Sequence, residues 1–439
     1  MAGRPGGATQ RERLIEAMTV VAARHGYAEA SVARVIKQAG MSRATFYEHF
    51  EDRDDCFRAA FRLEAQRVVE DLRASEESSR LDGRPAAVME QMLTQAERNP
   101  EATCLLMTEA MAADPRIRAE LEELLDLIEL AIGRYLDAAA AQLPPIEIPT
   151  RALLGAMGNL VRTRVFRGEA GGLRDLLDDL VAWFNSYAMP RGHRRLREED
   201  WQELGRSWRE LRSEPPAETR APRALPRGRS ALPRGQVGSE HRERIIEAIA
   251  TCVRAKGYEA TTVADLVRGA GVSRTAFYEQ FRNKEDAFLA AQALGLERSA
   301  GLVAARFFIE APWPERVWNA AEALAGYISE HADLAYAGVV EIYAAGPAAI
   351  RRQFESRMAY TLFLEEGYRQ RPEAEALPRI ASEAISGATE ELLRRQIAIG
   401  RTEKAQELVP AAAYVTLAPF IGAERALEFV TERSRGESG

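Results

Sequence analysis

A fifty-residue stretch beginning at Arg11 returns, without a gap, beginning at Arg242. The first copy reads RERLIEAMTVVAARHGYAEASVARVIKQAGMSRATFYEHFEDRDDCFRAA and the second RERIIEAIATCVRAKGYEATTVADLVRGAGVSRTAFYEQFRNKEDAFLAA. Gly40 and Gly271, Ser42 and Ser273, Tyr47 and Tyr278, and Phe50 and Phe281 all keep one spacing of 231. A repeat of this kind constrains the fold before any other feature is weighed. A fainter echo continues downstream, where Gly155, Leu160, Arg162 and Gly168 meet Gly387, Leu392, Arg394 and Gly400 at a spacing of 232. Two whole units, rather than two terminal modules, are therefore expected.

Size agrees: 439 residues exceed the roughly 100–200 of one compact domain. Hydrophobic residues at 46% and charged residues at 28% give the balance of a globular protein. A net charge of −7 argues against indiscriminate coating of nucleic acid, though not against a local basic reading surface. Three unpaired-looking cysteines, Cys56, Cys104 and Cys252, suggest a reducing compartment with neither disulfides nor zinc. The opening MAGRPGGATQ lacks the apolar core of a signal peptide, and no run approaches the roughly 20 apolar residues of a membrane span. A cytoplasmic protein that does not engage membranes is expected.

The expected class is all-α. Residues 1–61 form a first helical head and 62–190 a first helical core; 239–289 and 290–433 repeat the pair. Between them, 191–238 holds a helix and a linker. The linker, from Ser213 to Gly238, is rich in Pro, Arg and Gly and behaves as an extended tether. Ahead of it, Trp201, Leu204, Trp208 and Leu211 share one helical face, expected to dock on the first unit.

Each head divides into three helices. The first carries Leu14, Ile15, Met18, Val21 and Ala22 and ends at Gly26. Ser31 caps the second, which stops at Gly40; Ser42 caps a short third helix with Phe46, Tyr47 and Phe50. The second copy supplies Thr262, Gly271 and Ser273 in the same places. Two helices joined across a glycine turn are a helix-turn-helix, although a plain helical hairpin fits the pattern equally well.

The run Gly-Tyr, a capped helix, then Ala-Gly-(Met/Val)-Ser-Arg-x-x-Phe-Tyr-x-x-Phe resembles the signature of the TetR family, and both copies carry it. The resemblance implies two DNA-binding heads, each followed by a helical domain for ligand and dimerisation. Carried over, it makes Arg43, Ala44 and Thr45 the base-facing start of one recognition helix, and Arg274, Thr275 and Ala276 that of the other. Tyr47, His49 and Arg53, with Tyr278, Gln280 and Lys284, become phosphate contacts, and Ser31 and Thr262 mark where the second helix nears the backbone. The chemistry agrees: Arg pairs with guanine O6 and N7, while Tyr, His, Gln, Lys and Arg fix register on phosphates.

TetR-like proteins dimerise to reach half-sites about 34–36 Å apart. Here both heads lie on one chain, and a tether of this length spans up to about 80 Å at an effective concentration in the mM range. An intramolecular pseudo-dimer is expected, a homodimer being the alternative. Its interface would use Ala152–Phe166 with Leu173–Tyr187 and Ile380–Ile399 with Glu403–Pro419. The partners are a double-stranded DNA operator and an apolar or amphipathic small-molecule effector. Candidate effector contacts are Met107 and Met111 in the first core and Trp318 and Tyr343 in the second, with Met92 and Tyr135 also considered. Glu109 and Glu341 are candidate polar anchors. No Gly-rich phosphate loop, Cys/His cluster or nucleophile elbow occurs, so no enzyme, cofactor, catalytic residue or metal is expected. The competing reading is a ligand-sensing or protein-interaction scaffold whose heads do not bind DNA.

Overall fold

The computed structural model describes residues 9–82, 85–212 and 234–436. Among them every regular element is helical, apart from one isolated bridge between Ile146 and Ala188. The all-α class stands. The expected linker falls outside the described residues except at its end, where a helix already begins at Arg234.

Two compact units emerge, one of residues 1–195 with 377–388 and one of 196–376 with 389–439. In the first, the head helices are Gln10–His25, Val32–Ala39 and Arg43–His49. Thr9 and Glu12 form a capping box at the start, satisfying amide groups that have no partner inside the helix. Leu14, Met18, Val35, Phe46 and Phe50 close the small core. The helical core domain follows, with long helices Arg53–Asp82, Pro85–Arg98, Pro115–Ala139 and Thr150–Phe166. Asp114 caps Pro115–Ala139 from an extended backbone, with Pro115 in the first turn where its missing N–H costs nothing.

Helix Thr150–Phe166 is buried over most of its length. Its Arg151 is almost fully covered yet reaches Glu122 at 2.8 Å and Asp126 at 3.0 Å, partners that a buried guanidinium requires. The segment 377–388 closes on the same helix. Asn159 donates to the carbonyl of Gly387 at 3.0 Å, and Arg164 pairs with Glu383 at 2.6 Å. An added Cβ at Gly387 would lie 2.8 Å from that of Asn159, so the backbone approach demands glycine.

The second unit repeats the head as Arg234–Ala260, Val263–Ala270 and Arg274–Gln280, the first element breaking helical geometry at Gly257 with φ +81°. Its core contains Lys284–Phe307, Trp313–Glu330, Pro347–Tyr360, Val409–Ile421 and Ala423–Arg435. The helix expected from Glu403 instead starts at Val409, after a 3-10 stretch over Thr402–Leu408. Pro410 explains the start, because proline is accepted in a first turn and disrupts an interior.

The helix Glu198–Leu211 does not dock on the first unit. It is built into the second. Trp208 meets Trp318 edge-on at 4.9 Å and Trp201 lies 5.1 Å from Tyr414, while Arg209 pairs with Glu407 at 2.7 Å and Arg212 with Glu322. Between the tryptophans, Gly205 lets the backbones touch: an added Cβ would stand 2.1 Å from the carbonyl oxygen of Glu407. Because the obstacle is backbone, it cannot swing aside. Gly205→Ala is expected to cost about 1–3 kcal/mol and lower the melting temperature, as calorimetry would show. An unchanged melting temperature would contradict this packing.

Candidate nucleic-acid interface

The turn before each recognition helix is set by backbone chemistry. Gly40 sits at φ 64°, ψ 41° and Gly271 at φ 59°, ψ 38°, the left-handed region in which a side chain is strained. Met41 N–H bonds to Ile36 O at 3.0 Å while Gly40 N–H reaches Lys37 O. Val272 and Gly271 do the same to Val267 and Arg268. This double closure is the Schellman ending of a helix. From the first helix Arg13 donates to Ala39 O at 2.8 Å, and Arg244 reaches Gly271 O, placing positive charge at the negative end of the second helix.

Ser42 and Ser273 then start the recognition helices. Their hydroxyls accept from the amides of Thr45 and Ala276, each at 3.0 Å. Ser31 caps Val32–Ala39 through Arg34, while Thr262 forms a full capping box with Asp265. Asp265 also pairs with Lys256 at 2.5 Å, and that ammonium, ahead of the Thr262 contacts, holds its carboxyl well below the usual carboxylate range.

On the outer face, Arg43 and Arg274 are exposed and lie 6.0 and 5.8 Å over the rings of Tyr47 and Tyr278. Both tyrosines are about half exposed, at 50% and 48%. They are therefore not core aromatics; Phe46, Phe50, Phe277 and Phe281 fill that role. Each head thus presents an arginine and a phenol side by side, all of them donors suited to base edges and phosphates.

Other expected contacts are placed differently. Arg53 donates to the carbonyls of Tyr27 and Ala28, at 3.3 and 3.1 Å, and pairs with Asp54. Lys284 donates to Tyr258 O at 2.7 Å and lies 4.0 Å over that ring; burial pushes its pKa down. Both cations bind the turn after the first head helix. His49 is half-buried with Nε2 turned inward and unpartnered, and Gln280 is half-buried with its carbonyl near Arg242.

Glu109 and Glu341 are buried, against the solvated position ordinary for a carboxylate. Glu109 accepts from Tyr27 N–H at 2.6 Å and Glu341 from Tyr258 N–H at 2.8 Å. In both units a core carboxylate holds the backbone where the first head helix ends, beside Gly26 at φ +85° and Gly257 at φ +81°. The two glutamates stand at the same spacing of 232 as Gly155 and Gly387, a signal that could have linked them.

An apolar cavity of about 70 Å³ lies in the first core, lined by Met89, Met92, Tyr135, Leu136, Met157 and Phe184 among others. Met92 and Tyr135 were expected there. Met107 is half-buried elsewhere, and Met111 receives Arg162 at 3.1 Å on its sulfur. In the second core Trp318 is enclosed by Trp208 and Phe429, and Tyr343 is buried.

Residues 14–60 and 245–291 each match the family described as bacterial regulatory proteins, tetR family. The chain thus carries two matches to that family, one in each head. It is 32% identical over 110 residues to the HTH-type transcriptional repressor AcnR of Corynebacterium diphtheriae, covering 25% of this chain and 54% of that protein. It spans, then, about half the length of that relative. Against AcnR of Corynebacterium efficiens the identity is 26%, over 38% of this chain and 88% of the relative. The nucleoid occlusion factor SlmA of Vibrio cholerae is 27% identical over 29% of this chain and 66% of its own. Among solved structures, the TetR family transcriptional regulator PfmR of Thermus thermophilus aligns with a TM-score of 0.34 and 26% identity, over 40% of this chain and 94% of PfmR.

Burial pushes the Glu109 carboxyl up to about 7, against the bond from the Tyr27 amide, which pulls it down. Between its ordinary value of 4.5 and about 7, the folded chain keeps a proton that the unfolded chain releases. Stability from this group is therefore complete below pH 4.5 and lost as pH rises through about 7. Glu109→Gln keeps an acceptor for Tyr27 and removes the titration. The variant is expected to gain about 1–3 kcal/mol over wild type at pH 8 and little at pH 4. Denaturant melts with the same pH slope in both proteins would refute the assignment.

Proposed function

We propose that this chain is a sequence-specific DNA-binding transcriptional regulator whose two heads read the halves of an imperfect palindrome. The observation that carries the reading is the paired outer face of the recognition helices. Arg43 with Tyr47, and Arg274 with Tyr278, stand exposed at the start of a serine-capped helix behind a left-handed glycine. A helix so presented enters a major groove with its N-terminal residues against base edges. The two relatives named as HTH-type transcriptional repressors support repression as the sign of regulation.

The reading includes an intramolecular pseudo-dimer, a cytoplasmic location and an apolar effector. The presence of both heads in one chain supports pairing within it. No helix among the described residues is long and apolar enough to cross a membrane. The apolar lining of the cavity beside Met92 and Tyr135 supports an apolar rather than a charged effector. An effector works here by favouring a head arrangement that misfits DNA, to the extent of its differential affinity for the two states.

The test is selection from random duplex followed by titration at several salt concentrations. Wild type is expected to enrich one motif and to bind more weakly as salt rises. Arg43→Ala with Arg274→Ala is expected to abolish the preference while leaving the melting temperature unchanged, because neither arginine is buried. No enrichment by wild type would overturn the reading. Light scattering is expected to give the mass of one chain; a stable dimer carrying four heads would overturn the internal pairing.

A further inference from the structure

The two recognition helices begin with the same residue types in different order, Arg43-Ala44-Thr45 and Arg274-Thr275-Ala276. Structurally the order matters. Thr45 is half-buried, and its hydroxyl lies 2.9 Å from the Ser42 hydroxyl, within the cap that starts the helix. Its counterpart Ala276 is buried, 7% exposed, and Phe277 beside it belongs to the core. The third position of each triplet is therefore turned towards the protein. Ala44 and Thr275, one residue earlier, are exposed in both heads.

One threonine is thus spent on its own helix cap while the other is open. The Thr275 hydroxyl has no hydrogen-bond partner among the described residues, and the side chain is exposed beside Arg274. Ala44 offers only a methyl at the same place. The arginines, tyrosines and glutamates of the two faces are the same, at 43 and 274, 47 and 278, and 48 and 279. The remaining difference on the helix, His49 against Gln280, lies at its far end and is half-buried in both heads.

We propose that Thr275 is the specificity-determining residue that makes the two half-sites unequal, its free hydroxyl reading one base edge that the Ala44 head leaves unread. The inference rests on the reading of both heads as DNA binders. It narrows the asymmetry of the operator to a single position in each half, next to the base read by arginine. A hydroxyl can donate to or accept from a base edge, and the threonine methyl packs on a thymine methyl. Thr45, though identical in type, contributes no base preference.

The experiment is random-duplex selection with four full-length proteins: wild type, Thr275→Ala, Ala44→Thr and Thr45→Ala. Wild type is expected to select a motif whose halves differ at one position, with about three- to tenfold discrimination there in the Thr275 half. Thr275→Ala is expected to make the halves alike by relaxing that position. Ala44→Thr is expected to make them alike by adding the preference to the other half. Thr45→Ala is expected to keep the wild-type motif. A symmetric wild-type motif, an asymmetry that survives Thr275→Ala, or a motif changed by Thr45→Ala would each overturn the inference while leaving DNA binding intact. No enrichment by wild type would instead overturn DNA binding itself, and this inference with it.

Discussion

One bond recurs at the root of both units: a buried carboxylate of the core accepting the amide that follows the first head helix. Glu109 holds Tyr27 and Glu341 holds Tyr258. The amide is one that the helix cannot satisfy itself, and the carboxylate is one that burial would otherwise penalise. The bond offsets part of that cost, and at Glu109 burial still outweighs it. Around this bond the turn after the first head helix is closed a second time by a cation, Arg53 or Lys284, on the carbonyls of the same turn. The base of each head is thereby tied to its core by a hydrogen bond and an ion as well as by apolar contact.

The heads are rigid for a different reason. Their geometry is written in short-range chemistry: a left-handed glycine, a Schellman closure and a serine cap, all within a few residues. That locality is why the heads were legible in the sequence down to Ser31, Gly40, Ser42 and their partners at 262, 271 and 273. The exposure of Tyr47 and Tyr278 and the burial of Phe46 and Phe277 followed from the same spacing.

What sequence reasoning missed depends on distance along the chain. The partner of Glu109 lies 82 residues away, and nothing local marks a carboxylate that will be buried. The amphipathic face of Glu198–Leu211 was plain, but such a face carries no address. Its choice of Trp318 and Tyr414 is a matter of aromatic shape in a core about one hundred to two hundred residues further on. Arg53 and Lys284 were expected on phosphate because the family resemblance puts cations there, whereas the carbonyls they bind belong to a turn 25 or 26 residues earlier. The triplets at 43 and 274 looked like a simple exchange of Ala and Thr; only orientation separates a hydroxyl used in a cap from one left open.

The helix that carries Trp201 and Trp208 also decides how the gene can be divided. A second half begun after the Pro- and Arg-rich stretch would lack the indoles that cover Trp318 and Tyr414, and would expose a wide oily surface to water. A first half ended at that stretch would carry those indoles with nothing to seat them. A division near Leu196, ahead of the helix, keeps the indoles with the rings they cover, while the segment 377–388 still belongs to the first unit.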